Sequence, residues 1–230
     1  LKTRTTAAIT AGWLALAWIL FLVFQYRGMV KASPWPEYLA ALASVATVLL
    51  TAAGVGLAIA GRRPRSLGDV FPLAAVGLAV LGIASLALAG LGLVHSYVLW
   101  ILLAACAVLC RRDLKAVLDR LIGIRITAEG SGVWIPFMAL AAFGAASYLV
   151  AAMAPLTAND ALVYHLNIPK LYVANQGLIR LPFNVYANMP HYGEILYTMM
   201  FSMAGEAGAK LLYVFVLVGA AGATYSLASR

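Results

Sequence analysis

The stretch "YLAALASVATVLLTAAGVGLAIAGRRPRSLGDVFPLAAVGLAVLGIASLALAG", Tyr38 to Gly90, decides the fold. Two apolar runs, Tyr38–Ala60 and Val70–Gly90, flank a short turn that holds Arg62, Arg63 and Arg65. Each run meets the length of about 20 residues that a helix needs to cross the hydrocarbon core of a bilayer. Lipid offers backbone N–H and C=O groups no partners, so each run must be helical. Their frequent Gly and Ala let two such helices approach closely.

Working outward, four more runs have the same character: Ala7–Phe24, Leu93–Cys110, Val133–Met153 and Ala207–Ala228. The sequence therefore predicts an all-α, polytopic helical membrane protein with about six transmembrane helices. Composition agrees. The chain has 230 residues, 64% hydrophobic and 10% charged, with a mean hydropathy of +0.93. A soluble domain carries about 25% charged residues. The N-terminal "LKTRTTAAITAGWLALAWILFLVF" has a basic start and a core too long for a cleaved signal, so it reads as a retained signal-anchor.

The net charge of +8 is a topology signal. With the N-terminus inside, Lys2, Arg4, Arg62, Arg63, Arg65, Arg111, Arg112, Lys115, Arg120, Arg125 and Arg230 are cytoplasmic. Only Arg27, Lys31, Lys170, Arg180 and Lys210 fall outside. This is the positive-inside bias of an inner (plasma) membrane protein, bacterial in flavour, and it leaves no role for nucleic acid. Cys106 and Cys110 lie four apart in an apolar run, a spacing that fits neither a disulfide framework nor a zinc site. The segment "RRDLKAVLDRLIGIR", Arg111–Arg125, is amphipathic, with Leu114, Leu118, Leu121 and Ile122 on one face. It suits anionic headgroups or a plain connector. The chain divides into residues 1–132, four helices with this connector, and residues 133–230, a span, a long external loop at 154–206 and a returning span.

That loop is where ionisable groups gather. "APLTANDALVYHLNIPKLYVANQG", Ala154–Gly177, brings Asp160, His165 and Lys170 into apolar surroundings. Loops this long are usually functional. Two short interfacial helices are expected in it. The first starts near Asp160, with Asp160, Tyr164 and Asn167 on one stripe and Leu162, Leu166, Pro169 and Val173 opposite; Pro169 kinks or restarts it. The second, "HYGEILYTMMFSMAG", His191–Gly205, is too short to span and carries Glu194. Asp160 forms a capping pattern with Thr157, which is compatible with service as a fixed general base. Glu194 suits a first helical turn after Pro190. His191 and Glu194, with Asp160 and His165, supply the ligand types for a divalent metal, although the spacing matches no standard site. Lys170 and Arg180 face either a lipid phosphate or the headgroups generally. Lys210 reads as a snorkelling lysine. Tyr164, Tyr172, Tyr186, Tyr192 and Tyr197 fit an aromatic belt, with sugar stacking open to one or two of them.

The region "NDALVYHLNIPKLYVANQGLIRLPFNVYANMPHYGEILYTMMFSMAGEAGAKLLY", Asn159–Tyr213, resembles the GT-C superfamily of integral-membrane glycosyltransferases. The nearest flavour is the phospholipid-carrier-dependent branch of protein mannosyltransferases and aminoarabinose transferases. The resemblance implies a sugar donor on polyprenyl phosphate and a glycan, lipid or protein acceptor on the external face. It implies that Asp160 acts as base toward an acceptor hydroxyl or orients it, with Lys170 and Arg180 as candidates near the phosphate. It also implies that the chain is an N-terminal portion of a longer enzyme. Tyr164, His165, His191 and Glu194, from the loop's own residue types, are further candidates for substrate binding. Many relatives have Asp-Glu where this chain has Asp160-Ala161, and of their Lys-Pro-Pro only Pro190 matches. The alternative is a non-catalytic scaffold, or a subunit of a lipid-linked sugar transporter or flippase. The near absence of charge within the spans argues against ion-coupled transport.

Overall fold

The computed structural model describes residues 35–61, 64, 67–123, 161–188 and 192–228, together with 12, 13, 16, 140, 143–149 and 152. All regular structure among them is helical. The elements are α1 (Trp35–Ala60), α2 (Leu67–Gly90), α3 (Ser96–Leu109), α4 (Arg111–Ile122), a π turn (Ala161–His165), α5 (Asn167–Ala174), a 3-10 turn (Val185–Asn188) and α6 (Tyr192–Ala228). Contacts divide the chain into two units, Leu1–Pro36 with Arg125–Ala154, and Glu37–Ile124 with Pro155–Arg230. In the first, Trp13 meets Phe143 edge to face with ring centroids 5.5 Å apart. One described residue of each of two expected spans, the first and the fifth, is thereby in contact. The rest of those two spans lies mostly outside the described residues.

In the second unit, α1 and α2 form an antiparallel pair whose backbones touch. A Cβ on Gly77 would run into the carbonyl of Ala52, and one on Gly56 into the carbonyl of Leu73. Only glycine permits this approach. It places Ala52 and Gly56 of one helix against the backbone of Leu73 and Gly77 of the other, contacts spaced one turn apart in which each meeting has a glycine on one side. Three helices among the described residues are long and apolar enough to cross a membrane: Pro36–Ala60, Gly68–Gly90 and Tyr192–Ala228.

The fourth expected span is shorter than predicted. Helix α3 has 14 residues, about 21 Å at the usual rise, against a hydrocarbon thickness near 30 Å. It starts after a tight turn in which Gly92 takes φ +72°, and it ends at Cys110, where the chain turns into α4.

Helix α4 docks on the end of the α1–α2 pair that carries their connecting turn. Val117 is fully buried among Ala53, Leu57, Val70 and Leu73, with Ala116 and Leu121 packed alongside, and Leu114 lies against Gly54. Leu118 and Ile122 stay exposed, at 37% and 83%. The apolar seam is thus Leu114, Val117 and Leu121, rotated from the Leu114–Leu118–Leu121–Ile122 face expected from the sequence. The reason is that the groove between α1 and α2 accepts the β-branched Val117.

The last helix bends back on itself. Ala204 (φ −144°, ψ 15°) and Gly205 (φ 65°, ψ −164°) interrupt α6, close to where the sequence separates a short helix from the returning span. A Cβ on Gly208 would lie 2.6 Å from that of Ala204 and 3.4 Å from the carbonyl oxygen of Met200, so residues 206–228 fold against residues 192–203. The second arm runs antiparallel to α2, with Gly222 over the ring of Phe71 and Ser226 against Gly68. The first arm, expected from the sequence as a separate short helix, packs along α2. Tyr192 donates its hydroxyl to the carbonyl oxygen of Ala79, midway along α2, at 2.6 Å, and Leu196 packs over Gly82. Ile195, Met199 and Met200 are buried, more apolar surface than a surface helix would cover.

Candidate functional site

The segment 161–188 caps the end of the bundle opposite α4. Two backbone hydrogen bonds fasten it: Val94 N–H to the carbonyl of Gln176 at 2.9 Å, and Leu178 N–H to that of Ala89 at 3.0 Å. Gly177 makes the approach feasible, since a Cβ there would sit 3.0 Å from both the Ala89 carbonyl oxygen and the Gly92 Cα.

Helix α5 has Leu166 as its N-cap and Pro169 in its first turn. A missing N–H costs nothing there. The break therefore falls at Leu166, between the π turn and α5, and Pro169 restarts rather than kinks the helix. The helix ends with Gln176 at φ +59°. Gln176 N–H donates to the carbonyl of Val173 and Gly177 N–H to that of Tyr172, the paired bonds of a Schellman ending, with glutamine where glycine is usual. Ile168, Tyr172 and Leu181 form a small core flanked by Tyr164, Leu171, Ile179 and Ala187. Burial pushes the Tyr172 phenol above its ordinary value.

On this core three separate pieces of chain meet. His165, from the π turn, approaches Glu194, from the first turn of α6, with Nδ1 to Oε1 at 2.7 Å. The carboxylate side chain is 10% exposed and the imidazole 45%. An ionised carboxylate only accepts, so against it Nδ1 carries the proton and donates, and in the neutral ring Nε2 is then the acceptor. Tyr164 stacks on Tyr186 at 4.5 Å, with planes 18° apart. Asn184 holds the arrangement: its Nδ2 donates to the Val163 carbonyl at 3.0 Å, and its Oδ1 accepts from Tyr186 N–H at 3.1 Å. The turn bearing Tyr186 is thereby tied to the turn bearing Tyr164 and His165.

Of the residues singled out in the sequence, His165, Glu194 and Tyr164 come together here. Lys170 and Arg180 are exposed. Asp160 and His191 lie outside the described residues. No group of three metal-ligating side chains occurs among the described residues. Lys210 is not a lone snorkelling lysine. It pairs with Glu206 at 2.8 Å and its side chain is 15% exposed. Asn184 was not expected. Its bond to Tyr186 is a local Asx turn and legible as such, whereas its bond to Val163 spans 21 positions and has no sequence signature.

No protein family, curated protein or solved structure matches the chain. Among the described residues the fold and site define an all-helical protein with three apolar helices long enough to cross a membrane and a His165–Glu194 pair between the capping segment and the last of them.

Proposed function

We propose that this chain carries the acceptor side of a membrane glycosyltransferase, which moves a sugar from polyprenyl phosphate to an acceptor hydroxyl at the external membrane surface. The observation that supports the reading is a polar pair built into the cap: a nearly buried carboxylate on α6 holds a half-exposed imidazole of the segment that covers one end of the apolar bundle. Asp160 is the base or orienting group in this reading, on the strength of its resemblance to GT-C loops. Lys170 and Arg180, both exposed on the cap, are available to a lipid phosphate as charge-assisted donors. In this reading the cap faces outward and the α4 end faces the cytoplasm, the orientation that the positive-inside bias favours.

The test is Asp160→Asn in the full-length protein in membranes, supplied with radiolabelled polyprenyl-phosphate mannose or aminoarabinose. Transfer is expected to be lost while insertion is unchanged. Unaltered transfer would remove the reading and leave the non-catalytic scaffold or flippase subunit in its place.

A further inference from the structure

From the geometry of the His165–Glu194 pair we infer that His165 Nε2 is the atom that takes the acceptor's proton, with Glu194 as its positioning residue. This rests on the transferase reading above, and it leaves Asp160 the orienting role. Three features carry it. The Nδ1–Oε1 bond of 2.7 Å orients the ring, and an ionised carboxylate there selects the neutral tautomer protonated at Nδ1. The carboxylate is almost wholly shielded while the imidazole side chain remains 45% exposed, so what the pair offers to a ligand is the ring rather than the carboxylate. And Asn184 braces the turn that carries His165 through the Val163 carbonyl, so the backbone from which the ring projects is fixed. A histidine serving only to clasp two elements together has no need of an accessible second nitrogen.

The step balances without further reagents. The acceptor O–H gives its proton to Nε2 as its oxygen bonds to the donor's anomeric carbon. The bond from that carbon to the polyprenyl-phosphate oxygen breaks, and the phosphate leaves with the electron pair. The imidazolium is stabilised by the Glu194 carboxylate and returns its proton to water. General-base assistance of this kind contributes about 10²–10⁴-fold.

Two measurements decide the inference. The first is independent of activity. The chain has three histidines, so nitrogen-15 spectra of histidine-labelled protein in nanodiscs are simple. At mildly alkaline pH the ring of His165, assigned by its loss in His165→Gln, is expected to show protonated Nδ1 and bare Nε2. Glu194→Gln is expected to mix the tautomers, because an amide donates as well as accepts. A protonated Nε2 in the wild-type protein would overturn the inference. The second is transfer from radiolabelled polyprenyl-phosphate mannose or aminoarabinose in native membranes. His165→Gln is expected to lower kcat by about 100-fold or more, and Glu194→Gln is expected to lower it as well, through the wrong tautomer, with the donor KM little changed. Wild-type rates in His165→Gln sink this inference alone. Failure of the wild-type protein to transfer sinks the transferase reading, and the proton's destination with it.

Discussion

The α1–α2 pair and the cap over its far end are held together by opposite means. The pair has almost no polar side chains to use, so it relies on glycine: Gly56 and Gly77 bring backbone against backbone. The cap has a small apolar core, Ile168, Tyr172 and Leu181 with their partly buried neighbours. It is tied down in addition by hydrogen bonds from Asn184, His165 and the Ala89–Val94 backbone. Packing without polar groups is tolerant of pH and salt and intolerant of volume. Polar stapling is the reverse, and it leaves groups available for chemistry.

Substitutions should separate the two regimes. The largest effect belongs to Gly77→Val, which must drive the helices apart. Overpacking of this kind costs typically 1–3 kcal/mol, and here about 3 kcal/mol is expected because the obstruction is the Ala52 carbonyl rather than a movable side chain. Thermal unfolding in detergent would show it as a loss of the whole helical signal, whereas an unchanged transition would mean that the pair is not in backbone contact. Asn184→Ala comes next. It removes two hydrogen bonds, each worth about 0.5–1.5 kcal/mol, from the cap alone. Amide exchange should quicken across residues 161–188 and stay constant in α1 and α2; a uniform change would deny that the cap is a separately held part. The smallest effect has the opposite sign. Gln176→Gly relieves a left-handed residue and should stabilise the end of α5 by about 1 kcal/mol, seen as slower exchange at Asn175–Leu178.

The same contrast explains what could be read in advance. Helices α1 and α2 were legible because length, hydropathy and the arginine turn between them all point one way. The break in α6 was legible through Gly205 and the brevity of the run before it. The path of residues 192–203 was not, since hydropathy carries no depth. Tyr192 finds its partner in a helix carbonyl at Ala79, which has no side-chain signature. The seam of α4 shifted to Val117 because the groove it fills is made by two other helices. In the site, residue types were visible and their pairing was not. His165 and Glu194 stand 29 positions apart, and nothing local in either stretch announces the other. Asp160, the residue on which the resemblance rests most heavily, lies outside the described residues.

The central claim is that the cap and the α2–α3 turn share one side of the membrane, external, while α4 lies on the other. Cysteine labelling tests it most directly, in a protein with Cys106 and Cys110 changed to Ser and single cysteines introduced by Leu91→Cys, Arg180→Cys or Arg120→Cys. An impermeant maleimide added to intact cells should modify the first two and reach the third only after permeabilisation. Modification of the Arg180 and Arg120 variants from the same side would contradict the account.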